Sequence, residues 1–201
     1  MVNTLFFDIG GVILTNGWDH IARQKAAEHF GVDYAEMNAK HKLIFEMFET
    51  NKISLDQYLA EIIFYKKRNF SKEDFFNFMK EQSKAHRENL AILEKLSTKK
   101  KYLLAAINNE SLELNRFRIG KYGLAKYFKV FFSSAYVGMR KPDKKIFTMA
   151  VNILNKKPGE CFFVDDRIEN VTAAKAAGLY ALHIERFIQL ESALKSMKIR
   201  F

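Results

Sequence analysis

Thr4-Leu5-Phe6-Phe7-Asp8-Ile9-Gly10-Gly11 is a short apolar run that ends on a carboxylate and turns at two glycines. A run this brief, bounded by turn residues, reads as a buried strand entering a tight turn. The same pattern returns at 102–107, 130–132, 161–164 and 180–184. Helical periodicity fills the gaps at 112–122, 144–154 and 169–177, and an amphipathic helix at 187–197 is expected to cover the sheet. Strands that are apolar on both faces, alternating with helices, make a parallel sheet with helices on both sides. The fold class is α/β.

Between the first two strands the pattern changes. From Trp18 to about Ser97 the periods are helical, with no strand. Ser54-Leu55-Asp56-Gln57 and Ser71-Lys72-Glu73-Asp74 read as helix starts, each with a serine N-cap and an acceptor three residues on. Leu55, Tyr58, Leu59, Ile62 and Ile63 then mark one apolar face. The expected division is a sheet core over 1–16 and 92–201, interrupted by an all-helical insertion over 17–91.

The chain has 201 residues, 48% of them hydrophobic and 19 of them Phe, which suits a large core and excludes disorder. The first seventeen residues carry no basic leader, so a signal peptide is not expected, and no apolar run nears the roughly 18 residues of a membrane helix. The single cysteine, Cys161, rules out an internal disulfide and lies in an apolar run, as a buried thiol would. The five histidines show no metal-ligand spacing. A cytoplasmic protein is expected, monomeric or homodimeric and off the membrane. The net charge of +10 has one dense run, Lys99-Lys100-Lys101, read as a solvated loop. With no basic face interleaved with aromatics, nucleic acid is not an expected partner, and the charge suits a small phosphorylated metabolite.

In open parallel sheets ligands bind outside the carboxyl ends of the strands. Those positions hold Asp8, Asn108, Asn109, Asp165 and Asp166, with Lys141 following the third strand. Three carboxylates converging there need a cation, and oxygen ligands suit Mg²⁺. Mg²⁺ and Lys141 together would offset enough anionic charge for a carboxylate to approach a phosphate dianion. Asn108 and nearby backbone N–H groups would hold phosphate oxygens, leaving Asp8 free as nucleophile.

The run Phe6-Phe7-Asp8-Ile9-Gly10-Gly11-Val12-Ile13-Leu14 resembles the first motif of the haloacid-dehalogenase superfamily. Ile107-Asn108-Asn109 stands where its second motif has Ser or Thr, commonly followed by Asn. Lys141-Pro142-Asp143 resembles the third, and Phe163-Val164-Asp165-Asp166 with Asn170 the fourth. The four occur in the family's order across nearly the whole chain. The helical insertion resembles the family's C1 cap, including the phrase 48–54.

This resemblance implies a Rossmann-like core and a Mg²⁺-dependent phosphohydrolase working through an aspartyl-phosphate. Asp8 and Lys141 would be catalytic, and Asp8, the Gly10 carbonyl and Asp166 would hold the metal, supported by Asp165. Asn108, Asn109, Gly11 and Lys141 would meet the substrate phosphate. Asp8-Ile9-Gly10-Gly11 resembles the branch of glucose-1-phosphatase and the phosphatase domain of soluble epoxide hydrolase.

Two departures stand out. Gly10 occupies the place of a second Asp that usually serves as general acid, a contribution of about 10²- to 10⁴-fold. Asn108 replaces the Ser or Thr. A dehalogenase also fits the missing acid, as does a binding protein that has lost turnover, though the acidic pair 165–166 favours the phosphatase. In the insertion, Trp18, His20, Arg23, Phe45 and Phe48 are candidate pocket residues, with the aromatics expected mainly in the core.

Overall fold

The computed structural model describes residues 1–201. The chain opens with strand β1 (Thr4–Phe7) and passes into five helices, α1 (His20–Phe30), α2 (Tyr34–Glu49), α3 (Leu55–Ile62), α4 (Lys72–Glu81) and α5 (Arg87–Lys99). Strands and helices then alternate: β2 (Leu103–Asn108), α6 (Leu112–Lys121), β3 (Val130–Ser133), α7 (Ser134–Val137), α8 (Lys144–Ile153), β4 (Cys161–Asp165), α9 (Ile168–Ala176), β5 (Tyr180–His183) and α10 (Leu190–Ser196). The five strands form one parallel sheet in the order β3-β2-β1-β4-β5. The first strand therefore lies at the centre, and the connections leave it in opposite directions.

Strand alternation sorts the apolar residues into two layers. Leu5, Phe7, Leu104, Phe162 and Val164 face α5, α10 and Phe128 on one side. Phe6, Ala105, Ile107 and Phe163 face α8 and α9 on the other, where Phe147 meets Phe163 edge-on at 5.0 Å. Cys161 is buried in this second layer, and burial raises its thiol to about 11, so it stays protonated. Ile92, Leu93 and Leu96 place α5, which begins at Arg87, against the sheet.

The insertion has its own apolar cluster, built on Trp18, Phe48, Tyr58 and Phe75 and joined by Leu114 of α6. Both expected capping boxes form. The Ser54 hydroxyl accepts from Gln57 N at 3.2 Å while Gln57 returns a bond to Ser54 N, and Ser71 and Asp74 repeat the exchange. Two boundaries differ from expectation. The lysine run is not all loop, because α5 absorbs Lys99 and closes on Lys100 in the left-handed region at φ 50°. The terminal helix does not start at 187. Phe187–Gln189 is a 3₁₀ turn whose Phe187 carbonyl accepts from Asn89 and whose ring stacks on His86 at 3.8 Å. No helix is long and apolar enough to cross a membrane.

Candidate active site

Phe7 pairs with Ala106 on one side and Val164 on the other, so Asp8 emerges between the ends of β2 and β4. Its Oδ1 accepts from Ile9 N at 2.7 Å and lies 2.9 Å from the Lys141 ammonium. Its Oδ2 has no partner in the protein, and the residue lines a cavity of about 570 Å³ between the sheet edge and the helical insertion. Asp8 is thus held by one oxygen and offers the other.

Lys141 is 1% exposed, and its ammonium also donates to Asp165 Oδ2 at 2.5 Å. Burial works against this charge, but Asp165 and Asp8 outweigh it and raise the ammonium above the ordinary lysine value. For Asp8 burial is the larger influence. It pushes the carboxyl up to about 8, with Lys141 pulling down and Asp165 and Asp166 pushing further up. Burial raises Asp166 as well. The oxygens of Asp8, Asp165 and Asp166 lie within 4.8 Å of one another.

The three carboxylates are not equivalent. Asp165 is fully engaged, accepting from Lys141, from Arg167 N at 2.8 Å and from Asn170 Nδ2 at 3.0 Å on both oxygens. The resemblance gives Asp165 a supporting place at the metal; here it has no oxygen to spare and holds Lys141. Asp166 Oδ2 accepts from Asn16 at 3.1 Å, while its Oδ1 is buried with no partner at all. A buried carboxylate oxygen without a donor is costly unless something outside the chain satisfies it.

The amides after β2 also differ from expectation. Asn109 lines the cavity, but its side chain clamps Lys141, donating to the backbone O and accepting from the backbone N, both at 2.8 Å. Asn108 is 2% exposed and does not line the cavity. Its Oδ1 accepts from Ser133 and its Nδ2 donates to Asn115, which ties β2 to β3 and α6.

Gly10 lines the cavity, whereas Gly11 lies behind Asp166. At Gly11, φ is +70° and an added Cβ would sit 2.1 Å from Asp166 Oδ2. Gly11→Ala should cost about 2 to 4 kcal/mol in urea denaturation, from left-handed strain plus overpacking. Gly10 has an ordinary backbone, and its Cβ would meet only Asn16, tightly at the exposed side-chain oxygen (3.1 Å) and at ordinary contact with its Cα (3.5 Å). Gly10→Asp should therefore change stability by less than about 1 kcal/mol. Equal losses at the two glycines would contradict this placement.

From the insertion, Trp18, His20, Arg23, Phe45 and Phe48 all line the cavity. The aromatic assignment is therefore partly corrected: Trp18 and Phe48 belong to the insertion's core and wall the cavity too. Several neighbours carry no signal in the sequence. Asn16, His41 and the buried Glu110–Arg118 pair (2.6 Å) follow no motif; the loop after β1, helix α2 and the segment from β2 into α6 bring them to the site.

Residues 2–178 match the haloacid dehalogenase-like hydrolase family. The chain belongs to that family. Flavin mononucleotide hydrolase 1 of Arabidopsis thaliana is 26% identical over 193 residues, 94% of this chain and 78% of that protein. A sesquiterpene phosphatase of Aspergillus oryzae is 42% identical, but over only 28% of this chain and 29% of its own length. A phosphoserine phosphatase of Thermus thermophilus is 32% identical over 48% of this chain and 39% of its length. A solved enzyme of the family from Bacteroides thetaiotaomicron shares the fold at a TM-score of 0.79, with 20% identity over 90% of this chain and 93% of its own. The same enzyme solved with magnesium and inorganic phosphate gives 0.76 at 19% identity, covering 91% of this chain and 94% of its own. The chain is thus a hydrolase of the haloacid dehalogenase-like family with phosphatases among its relatives.

Proposed function

We propose that this hydrolase cleaves a small phosphate monoester through an aspartyl-phosphate formed on Asp8, with Mg²⁺ as cofactor. The observation that carries this reading is the asymmetry of Asp8, one oxygen bound by Lys141 and Ile9 N and the other free at the cavity. The free oxygen attacks phosphorus, the Asp8–P bond forms and the P–O ester bond breaks; water then cleaves the acyl-phosphate and restores the carboxylate. Lys141 lowers the charge of Asp8 as the phosphate arrives and stays fixed because Asp165 and Asn109 hold its two ends. Gly10 supplies no proton, so the leaving oxygen takes one from water, or departs unprotonated where its pKa is low. This favours sugar anomeric and similar activated phosphates, in keeping with the glucose-1-phosphatase-like branch that Asp8-Ile9-Gly10-Gly11 resembles.

The donor set fits a small hard cation: oxygens clustered at one edge, and the Asp166 Oδ1 atom left without a partner. Asp8, Asp166 and the Gly10 carbonyl would hold it, and when bound it supplies charge neutralisation at the phosphate. The unpartnered Asp166 oxygen favours this reading over a metal-free dehalogenase. The insertion 17–91 acts in this reading as a C1-type cap over the core of 1–16 and 92–201, with the cavity at their junction.

Because burial holds Asp8 protonated up to about 8 and raises Asp166 too, Mg²⁺ must displace protons to bind. Its affinity should climb up to tenfold per pH unit below about 8 and level off above, as read by calorimetry. A flat profile would place the metal elsewhere. The function is tested by phosphate release from para-nitrophenyl phosphate and a panel of sugar phosphates, with Mg²⁺ and with EDTA. Mg²⁺-dependent release supports it. Silence across the panel with Mg²⁺ bound would turn the reading toward a dehalogenase or a binding protein.

A further inference from the structure

Buried cations at the cavity mostly have carboxylate partners. Lys141 has Asp8 and Asp165, Arg118 has Glu110, and Arg140 has Glu46 and Glu49. Arg23 does not. It is 8% exposed and lines the cavity from α1, yet no carboxylate lies within 4.0 Å of it. Its Nε donates to the Asn38 side chain at 3.0 Å and its Nη1 to the Trp18 carbonyl at 2.9 Å, both neutral acceptors, and its Nη2 donates to nothing in the protein. The carboxylates near it are committed. Asp19 caps α1 through Ala22 N at 2.8 Å, and Glu49 accepts twice from Arg140. Burial disfavours the guanidinium charge more than Asp19 and Glu49 offset it from beyond 4.0 Å, so an anion brought by a ligand would relieve the arrangement.

A second group stands beside it. Trp18 Nε1 can only donate, and it donates to the Tyr58 oxygen at 2.7 Å. Tyr58 is 0% exposed, so its own hydrogen must be used, and the one acceptor at hand is His41 Nδ1, at 2.7 Å. This relay puts the His41 hydrogen on Nε2. Burial, then the charges of Arg23 and Lys42, lowers the imidazole to about 3, so it remains neutral beside the guanidinium. His41 lines the same cavity, with Phe45 and Phe48 as apolar walls.

We infer that Arg23, with the Nε2–H of His41 beside it, forms a second anion subsite that selects phosphate esters whose leaving group carries a further acidic group, best matched by a carboxylate. The inference rests on the phosphatase reading for the position of the first phosphate. The guanidinium fork suits a planar carboxylate, and a charge-assisted pair in a desolvated cavity outweighs the neutral contacts Arg23 now makes. Arg23 would therefore act in choosing the substrate and would take no part in the bond changes at Asp8.

The test uses calorimetry on the full chain with Mg²⁺. Phosphonoacetate, 3-phosphonopropionate and 4-phosphonobutyrate are compared with alkylphosphonates of the same length. At the best-matched length the carboxylate should tighten binding about 10- to 100-fold, the range of a charged hydrogen-bond pair. Arg23→Gln should erase that difference, and Arg23→Lys should keep part of it and serves if the glutamine variant fails to fold. Equal binding of acid and alkyl probes at every length would overturn the subsite, and so would a preference that survives Arg23→Gln. Wild-type turnover of para-nitrophenyl phosphate separates the two claims. Turnover without discrimination sinks the subsite alone, and discrimination without turnover keeps the subsite and sinks the phosphatase reading.

Discussion

Lys141→Met is expected to destabilise the protein by about 3 to 5 kcal/mol and to abolish turnover, because it removes one partner from a buried charge cluster. The ammonium is 1% exposed and lies between Asp8 Oδ1 at 2.9 Å and Asp165 Oδ2 at 2.5 Å. Methionine fills most of the volume but leaves two buried carboxylates without a counter-ion. The sign with pH follows from the raised ammonium. Its folded value lies above the ordinary lysine value, so its contribution is fully present through neutrality and is lost only as pH rises past that folded value. In the variant Asp8 loses the downward pull of Lys141 and holds its proton more tightly. The loss should therefore be small near about pH 4 and grow toward about pH 8, where Asp8 must ionise. Urea denaturation at the two pH values measures it. A loss independent of pH would mean that packing of the lysine stem, and not charge, is what Lys141 supplies.

Asp8→Asn is expected to lower phosphate release by about 10⁴-fold or more, toward the uncatalysed rate, because an amide cannot form the covalent intermediate. The same substitution should not weaken the fold at neutral pH. The Asp8 carboxyl is raised in the folded chain from 3.8 to about 8, so its contribution is fully present below 3.8 and lost as pH climbs toward 8. Asparagine does not titrate, and the stability of the variant relative to the parent should rise across that window and level off above it. Thermal unfolding from acid to mildly alkaline pH reads this directly. Undiminished turnover would move the nucleophile away from Asp8.

Much of this architecture was legible because strand and helix periods are local properties. Thr4–Phe7 and Cys161–Asp165 are short, apolar and bounded by turns, and the two serine capping boxes carry their own geometry three residues apart. Asp8, Asp165 and Asp166 were legible because parallel strands that share an edge deliver their end residues to one place, whereas Lys141, eight residues past β3, was legible only through the motif it resembles. What that reasoning could not rank was how each side chain spends its hydrogen bonds. Asn109 reads as a free amide and is a clamp on the Lys141 backbone; Asp165 spends both oxygens on Lys141, Arg167 N and Asn170. Asn109 and Lys141 are 32 residues apart, and Lys141 and Asp165 are 24 apart, where no spacing rule reaches. The Phe187 turn failed for the same reason, since Asn89 takes its carbonyl from across the fold.

The helical insertion shows the limit most clearly. Aromatics at helical spacing are expected in a core, and Trp18 and Phe48 are there, yet both also face the cavity. The helices between β1 and β2 have few residues, so one side chain both packs their cluster and bounds the cavity. Arg23, a candidate pocket residue from the sequence, is held inside by the Trp18 carbonyl and Asn38.

The most direct measurement is acid-quenched mass spectrometry during turnover of an activated phosphate ester with Mg²⁺, followed by peptide mapping. The expected result is one added PO₃ group on the peptide containing Asp8, labile to hydroxylamine and absent in Asp8→Asn. Turnover with no acyl-phosphate on Asp8, or with the label on another residue, would contradict the account.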